Sequence, residues 1–577
     1  METVRLRTPR RRGSGPRRVM LFCALIGFFI GGYLAYLRYI PNGDQVVPEY
    51  GFEYPIVYRG EVLNTGAKRE VEELKLPIEA VQQVLGADAP IRYEAETGSI
   101  ILTTADKVLH MKTDALTASM NSKPFELTVA AETEGDRVYI PLTPLTELYG
   151  LQAEQAKGGS GIVTLFESGQ AIQLGRASSA DGVAIRSEPT IRAPISEQLG
   201  RGGAVRIWGE KNGWYLVQGP LGYAGYAAKS DIVLAQVEMI PELKRDEPFV
   251  AWKVIGSKIN LTWEAVYQTA PEPAEIGPLP GVNVVSPTWF ELQDGKGAIR
   301  SKADKNYVAW AHNRNMQVWA LFNNSFDPDR TTQALDDFGT RFRMIQQLLA
   351  YAKMYMLQGI NIDFENVYTK DKANLVQFIR ELTPLAHDQN LVISIDVTPK
   401  SSSEMWSAFL DREALGRAVD YMIVMTYDEY WASSPRSGSV ASLPWVERSV
   451  QRILEEDNVP PRKLVLGVPL YTRIWTEKKD ENGKIAVSSK AVGMEAVEEL
   501  ITERKLKPVY QQATGQNYVE YTENGALIRI WIEDETSMKA RAELVKKYGL
   551  AGVASWQRTF QKPGIWNTIQ DTLNLRP

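Results

Sequence analysis

The strongest constraint in the sequence is a series of eight apolar β-type runs between residue 247 and the C-terminus, with helical patterns such as 336–357 and 374–387 between some of them. Most of these runs are continuously apolar, as expected of strands buried on both faces. Eight such runs alternating with helices predict a multidomain chain whose region 247–577 is a (β/α)8 TIM-type barrel. The predicted strands are Ile259–Val266, Val282–Trp289, Gln317–Phe322, Gly359–Glu365, Leu391–Val397, Tyr421–Tyr427, Leu464–Tyr471 and Gly552–Trp556.

A second apolar segment lies near the N-terminus. Residues 19–37 contain no charge and follow seven arginines within residues 1–18. At a rise of ~1.5 Å per residue, a helix of this length spans about 28 Å, close to the hydrocarbon core of a bilayer. The sequence therefore predicts a transmembrane helix over 19–37, a basic cytoplasmic tail over 1–18 and the remainder outside the cell. If the segment is instead a cleaved signal, the protein is secreted or associated with the cell wall or spore.

Between this segment and the barrel we expect a stalk over 38–67 and two small domains. Two helical patterns in 68–170 begin after Pro77 and Pro141 and end at Gly86 and Gly150, the expected placement of proline and glycine. Each is followed by an apolar β run, and the resulting α+β pattern resembles the copper amine oxidase N-terminal domain. Residues 178–235 read as short strands with Gly-rich turns and resemble a bacterial Src-homology-3-like barrel, a type that often binds the cell wall. The alternative is a small barrel whose aromatic residues fill its own core.

Charge and composition narrow the classes of partner. The net charge is −5 although the N-terminal 18 residues are strongly basic, so the remainder is acidic and a nucleic-acid partner is not expected. A single cysteine, Cys23, and three scattered histidines offer neither a disulfide framework nor metal-ligand spacing. We therefore expect no metal and no cofactor, and we infer no obligate protein partner.

The candidate chemistry lies at the end of the fourth predicted strand. Asn361, Asp363 and Glu365 alternate along Gly359–Glu365, so they share the face that points into the barrel. Glu365 is the last of them and emerges at the C-terminal rim, where barrel enzymes place their sites. Burial of such a polar row is costly unless it serves a purpose.

This pattern resembles glycoside hydrolase family 18, whose fourth strand carries D-x-x-D-x-D-x-E. The resemblance covers about 250–577 and includes Met425-Thr426-Tyr427-Asp428, Gly467-Val468-Pro469-Leu470-Tyr471 and Trp556. The segment around Ser286-Pro287-Thr288-Trp289-Phe290 is most similar to the branch containing spore-cortex-fragment lytic enzymes. Gln358 and Asn361 stand where the family pattern has aspartates. Asn361 cannot share a proton with Asp363, so we expect an altered pH profile.

The resemblance implies a substrate-assisted retaining glycosidase in which the 2-acetamido group of the sugar is the nucleophile. Glu365 would be the general acid and base, Asp363 would orient the acetamido N–H, and Tyr427 would bind its carbonyl oxygen. Asn361 and the following residues are the substrate-binding candidates: Asp428, Met425, Trp556, Trp289, Tyr471 and Trp531.

Such a mechanism requires an N-acetyl group beside the scissile bond, which restricts the substrate to peptidoglycan or a chitin-like glycan. Because the predicted anchor would hold the enzyme beside its own wall, the first hypothesis is a peptidoglycan hydrolase. The alternatives are the same chemistry on chitin oligosaccharides, and a non-catalytic glycan-binding protein on the same barrel.

Overall fold

The computed structural model describes residues 15–86, 90–245, 247–251, 258–479 and 483–574. The chain divides into two compact units. The first comprises 1–90, 113–117 and 126–244, and the second comprises 91–112, 118–125 and 245–577. Residues 1–14 of the predicted basic tail lie outside the described residues.

The second unit contains a closed barrel of eight parallel strands, which confirms the predicted fold. Each strand pairs with the next along the chain, and the eighth pairs with the first. The observed strands begin and end within a few residues of the predicted runs. They are β1 (Ile259–Glu264), β2 (Val284–Pro287), β3 (Gln317–Asn323), β4 (Gly359–Asp363), β5 (Val392–Val397), β6 (Tyr421–Met425), β7 (Leu464–Pro469) and β8 (Gly552–Trp556).

The barrel has two separate cores because side chains alternate along each strand. The inner core contains Trp263, Leu321 and Ile423, with Tyr427 and Trp556 packed at its edge. The outer core lies between the strands and the surrounding helices and is much larger. Polar residues on the inner face of β4 are therefore enclosed by the barrel itself.

Helices follow most of the strands. Five of them begin after an aspartate, namely Asp304, Asp327, Asp337, Asp411 and Asp534, whose side chain accepts a backbone N–H of the first turn, the usual N-cap arrangement. The helices of this unit are Lys305–His312, Pro328–Leu335, Phe338–Tyr355, Lys372–His387, Arg412–Ala418, Leu443–Glu456, Met494–Glu503, Glu535–Lys547 and Ile565–Asn574.

A separate antiparallel sheet interrupts the barrel between β7 and β8. Two of its strands, Gln516–Glu523 and Ala526–Ile532, form a hairpin. The other three strands of this five-stranded sheet are Tyr471–Lys479, Ile485–Gly493 and Val509–Gln511. The sheet has its own small apolar core.

The predicted 68–170 domain contributes residues to both compact units of the chain. Its middle part forms a sheet of five short strands, Ile91–Glu94, Ser99–Thr103, Val108–Lys112, Thr117–Met120 and Lys123–Glu126, most of which belongs to the barrel unit. Ile101 and Val108 of this sheet join the outer core of the barrel. These contacts join residues more than 200 positions apart, so local sequence patterns did not reveal them.

The first unit contains two seven-stranded sheets. One consists of Tyr54–Tyr58, Glu61–Glu70, Glu73–Pro77, Glu132–Glu134, Arg137–Pro141, Gln152–Gln155 and Val163–Phe166. Both predicted helices beside it are confirmed, as Ile78–Leu85 and Leu142–Tyr149, each preceded by its proline and followed by its glycine.

The second sheet accounts for the region 178–235, which was predicted to consist of strands. It consists of Ala171–Ala177, Val183–Arg186, Ile195–Leu199, Ala204–Lys211, Trp214–Gln218, Ala224–Ala228 and Ile232–Met239 and encloses a small apolar core. Its likeness to Src-homology-3 domains remains a prediction.

The N-terminal apolar segment is a helix, Gly15–Tyr39. Within it, Val19–Tyr39 has a mean hydropathy of 2.1 and is long enough to cross a membrane. The described part of this stretch is exposed and packs against no core. A signal sequence near the N-terminus has the same length and hydropathy.

Candidate active site

The polar residues of β4 converge at the carboxyl-terminal mouth of the barrel. Asn361 is fully buried, whereas Asp363 at the end of the strand and Glu365 two residues later retain some accessible surface. This order follows from the alternation of side chains along a strand, which the sequence predicted. Two carboxyl groups therefore lie together at the end of the barrel where barrel enzymes place their sites.

A buried asparagine that the sequence analysis missed holds Glu365 in place. The side-chain Oδ1 of Asn324 accepts the backbone N–H of Glu365 at 3.1 Å, and its Nδ2 donates to the Glu365 carbonyl at 2.7 Å. Asn324 also donates to Thr331 Oγ1 at 2.9 Å. Asn324 directly follows β3, and only the packing of β3 beside β4 brings it to this position.

The environment keeps these carboxyl groups protonated to higher pH than usual. Burial raises the pKa of Asp363 to about 7. Burial, followed by the charges of Asp363 and Asp428, raises the pKa of Glu365 well above its usual range. A carboxyl group that remains protonated near neutral pH can act as a general acid.

Aromatic side chains surround the two carboxyl groups. Trp263 of β1 is fully buried in the inner core. The ring of Tyr427 meets it edge-on at 6.5 Å between centroids, and the ring of Trp556 does so at 5.9 Å. Tyr427 and Trp556 are both partly exposed at the mouth. Both rings can therefore contact a ligand that enters the mouth of the barrel.

Asp428 is the most exposed acidic group of this region. Its Oδ1 accepts a hydrogen bond from the Tyr471 hydroxyl at 2.7 Å and pairs with Arg473 at 3.0 Å. These contacts leave the side chain 44% exposed, so it can still bind a hydroxyl group. Met425, at the end of β6, is buried.

Two predicted substrate-binding residues do not reach the mouth. Asn361 is fully buried and both ends of its amide are occupied, by Ser394 at 2.6 Å and by Asp396 at 2.7 Å. It therefore supports the site from below and does not bond Asp363. Trp289 is also fully buried and packs against Tyr307 in the outer core, because the chain turns away from the inner face after β2.

Two other aromatic candidates serve mainly as supports. Tyr471 is buried and its hydroxyl is engaged by Asp428. Trp531 is half-buried on the five-stranded sheet, where its indole N–H donates to Gln511 and its ring packs against Tyr518. Neither presents an open ring face comparable to that of an exposed aromatic residue.

Exposed aromatic residues near the mouth were missed by the sequence analysis. Phe326, three residues after β3, and Trp406, in the segment after β5, lie 6.3 Å apart between ring centroids and are 52% and 44% exposed. Trp431, after β6, is 53% exposed. The available signal was their position: each lies in a loop after a barrel strand, where ligand-binding residues collect in this fold.

Among the described residues no group of three or more His, Cys, Asp or Glu is placed to hold a metal ion. The arrangement consists of a proton donor, a neighbouring carboxylate and aromatic surfaces. It is suited to acid–base chemistry on a ligand with flat apolar faces, such as a sugar.

Comparison with known proteins agrees with this chemistry. Residues 274–560 match the family described as glycosyl hydrolases family 18, and residues 67–163 match the copper amine oxidase N-terminal domain. The chain is 26% identical over 303 residues to the uncharacterized glycosylase YvbX of Bacillus subtilis. This match covers 50% of this chain and 84% of that protein.

A second relative is the cortical fragment-lytic enzyme of Bacillus subtilis, 26% identical over 264 residues. The match covers 45% of this chain and 60% of that enzyme, less than two thirds of its length. The crystal structure of the spore cortex-lytic enzyme SleL from Bacillus megaterium superimposes with a TM-score of 0.50 at 18% identity, over 65% of this chain and 89% of that one, and so supports the fold alone. The barrel is therefore a glycosyl hydrolase family 18 domain, and the chain is a glycoside hydrolase.

Proposed function

We propose that this protein is a membrane-anchored enzyme, acting outside the cell, that cleaves β-linked N-acetylglucosaminyl bonds of peptidoglycan. The observation that carries the proposal is the pair Asp363 and Glu365 at the open mouth of the barrel, where burial raises the pKa of both and the charge of Asp363 raises that of Glu365 further. The chain order of apolar helix, accessory domains and barrel favours a substrate close to the membrane.

In this proposal Glu365 donates a proton to the glycosidic oxygen and then removes one from the attacking water. The acetamido oxygen of the sugar attacks the anomeric carbon, so no protein nucleophile is required. Asp363 accepts a hydrogen bond from the acetamido N–H. It also stabilises the positive charge of the oxazolinium ring that forms when the acetamido oxygen attacks the anomeric carbon. The hydroxyl of Tyr427 donates a hydrogen bond to the acetamido oxygen.

The remaining residues hold the glycan. Trp556 provides a flat surface beneath the sugar at the scissile bond, and Asp428 binds a sugar hydroxyl. The exposed rings of Phe326 and Trp406, together with the exposed ring of Trp431, extend the binding surface around the mouth. Stacking of sugar faces on such rings favours an extended glycan over a short one.

The catalytic assignment is tested with Glu365→Gln, which preserves the size of the side chain but removes its acidic proton. We expect the rate on peptide-stripped peptidoglycan to fall ~10²–10⁴-fold, the usual contribution of a general acid. Glu499→Gln is the matched control because Glu499 is exposed on the helix Met494–Glu503 and should leave the rate unchanged. Parent-like activity of Glu365→Gln would falsify the assignment.

The substrate is tested by comparing initial rates on stripped peptidoglycan and on chitin oligosaccharides of equal length, with mass spectrometry of the products. Faster cleavage of peptidoglycan, with N-acetylglucosamine at the new reducing end, is the expected result. Preference for chitin would replace the proposed substrate, and binding without new reducing ends would indicate a glycan-binding protein.

A further inference from the structure

A third carboxyl group, absent from the family pattern described above, lies inside the barrel beside Asp363. Asp396 is on the inner face of β5 and is 3% exposed. The strands β4 and β5 are parallel, with Asn361 opposite Ser394 and Ile362 opposite Ile395. The same register brings Asp363 opposite Asp396, on strands that are about 4.8 Å apart.

The hydrogen bonds around these groups leave each carboxylate with an unpaired oxygen. Ser394 donates to Asn361 Oδ1 at 2.6 Å, which fixes the orientation of the amide, and Asn361 Nδ2 donates to Asp396 Oδ2 at 2.7 Å. Within the described residues, Oδ1 of Asp396 and Oδ1 of Asp363 have no hydrogen-bond partner. A buried carboxylate oxygen without a donor is costly, and a proton held between the two groups would satisfy both.

The groups that act on this pair provide no compensating positive charge. Glu365 follows on from β4, and Tyr427 comes from the end of β6. The neutral Asn361 and Trp263 face Asp396 from β4 and β1 and favour its ionised form, but burial and the charge of Asp363 outweigh them. Burial, and then the charge of Asp363, raises the pKa of Asp396. Two neighbouring carboxyl groups that are largely buried and lack a nearby cation do not both ionise near neutral pH.

We propose that Asp396 is a positioning residue that shares one proton with Asp363, so that the acid partner missing at position 361 is supplied from the neighbouring strand. The inference rests on the proposed function of Asp363. When the acetamido N–H of the sugar reaches Asp363, the shared proton resides on Asp396, whose O–H donates to Asp363. Asp363 is then the anion that faces the developing positive charge, and no proton is gained or lost.

The two positions also allow a matched set of variants that differ by single atoms. Asp396→Asn removes the shared proton but keeps the shape of the side chain. The double variant Asn361→Asp/Asp396→Asn moves the carboxyl group from β5 to position 361 of β4, two residues before Asp363 on the same face of the strand. Both are measured in the full chain in detergent, together with the parent, as kcat/KM against pH on a fluorogenic glycoside of di-N-acetylchitobiose and on stripped peptidoglycan.

The monoanion of the parent pair is stabilised by an O–H donor, whereas an amide N–H is a weaker donor to a carboxylate. In Asp396→Asn we therefore expect the acid limb of the profile to move to higher pH by about one unit, and in the double variant to return toward that of the parent. A role limited to packing would lower kcat/KM equally at every pH. An unmoved limb in Asp396→Asn, or no return in the double variant, overturns the proposal.

Thermal unfolding provides a second measurement that needs no substrate. The shared proton raises one folded-state pKa of the pair above its unfolded value, so the parent loses stability as pH rises from about 4 through that folded pKa. Asp396→Asn retains only the loss caused by the buried Asp363, so its Tm relative to the parent should increase with pH above the pKa of that group. A constant difference in Tm would contradict proton sharing even if Glu365→Gln is inactive, which separates failure of this inference from failure of the proposed function.

Discussion

At the scale of single residues, the environment differentiates side chains of the same type. Asp363, Asp396 and Asp428 are all aspartates near one mouth, yet the first two are enclosed without a cation and the third is exposed and paired with Arg473. Burial raises the pKa of Asp363, of Asp396 and of the neighbouring Glu365. A cleft that holds carboxyl groups protonated is a typical environment for acid catalysis.

The proposed role of Tyr427 is tested by Tyr427→Phe, which removes only the hydroxyl group. If this hydroxyl stabilises the acetamido oxygen in the transition state, kcat should fall by ~10²-fold, as for the loss of one preorganised donor, while KM changes little. The measurement is steady-state kinetics on the same di-N-acetylchitobiose glycoside.

Tyr421→Phe is the matched control because Tyr421 lies at the opposite end of β6, where its ring stacks on Trp319. It should retain the parent kcat. An equal loss in both variants would indicate a general packing defect of the strand and would contradict the role of the Tyr427 hydroxyl.

At the scale of elements, the sheet of residues 91–126 is tied to a barrel helix by a buried charge network. Glu94 accepts the backbone N–H of Phe338 at 2.8 Å and a hydrogen bond from Arg341 at 2.7 Å. Arg341 is fully buried and also pairs with Glu381 at 2.8 Å. His110 of the same sheet stacks on Phe338 at 3.9 Å between ring centroids. The sheet therefore covers the start of the helix Phe338–Tyr355.

Glu94→Ala should destabilise this contact by about 2 kcal/mol, the usual value of hydrogen bonds to a charged group, because Arg341 loses one of its partners. Amide hydrogen exchange followed by mass spectrometry should show faster exchange at the start of the helix Phe338–Tyr355. Glu96→Ala is the control, since Glu96 is exposed in the adjacent turn. Equal protection in both variants would show that Glu94 does not secure the helix.

At the scale of the whole molecule, the chain joins one long apolar helix, two β-rich regions and a catalytic barrel. Covalent attachment of a glycosidase to the membrane would raise the local concentration of the nearby wall without any new contact. Soluble glycan lacks this constraint, so tethering should matter only for the intact wall.

A variant that begins at residue 40 tests the anchor. The full chain should sediment with membranes and resist carbonate extraction, whereas the shortened chain should remain in the supernatant with unchanged kcat/KM on soluble glycan. The N-terminus of the mature protein is determined by mass spectrometry in parallel. A mature chain that starts beyond residue 37 would show that the segment is a cleaved signal.

Much of the architecture could be predicted from local patterns. The eight barrel strands, the helices after Pro77 and Pro141, and the inward face of β4 each depend on residues close together in the sequence, where side-chain alternation and helix-ending residues act directly. Local patterns could not predict that Trp289 is buried in the outer core whereas Trp406 is exposed. The position of each ring depends on the path that its loop takes after the barrel strand.

The sequence by itself determined that an aspartate and a glutamate leave one strand on the same side, since strand geometry alternates with a period of two residues. Only the tertiary structure decided what lies beside them. Asp396 accepts a hydrogen bond from Asn361, and Asn324 accepts one from the backbone N–H of Glu365. Both contacts depend on the register of β5 and β3 against β4. That register is set by the closure of the whole barrel, and pairings between strands more than 30 residues apart leave no local pattern in the chain.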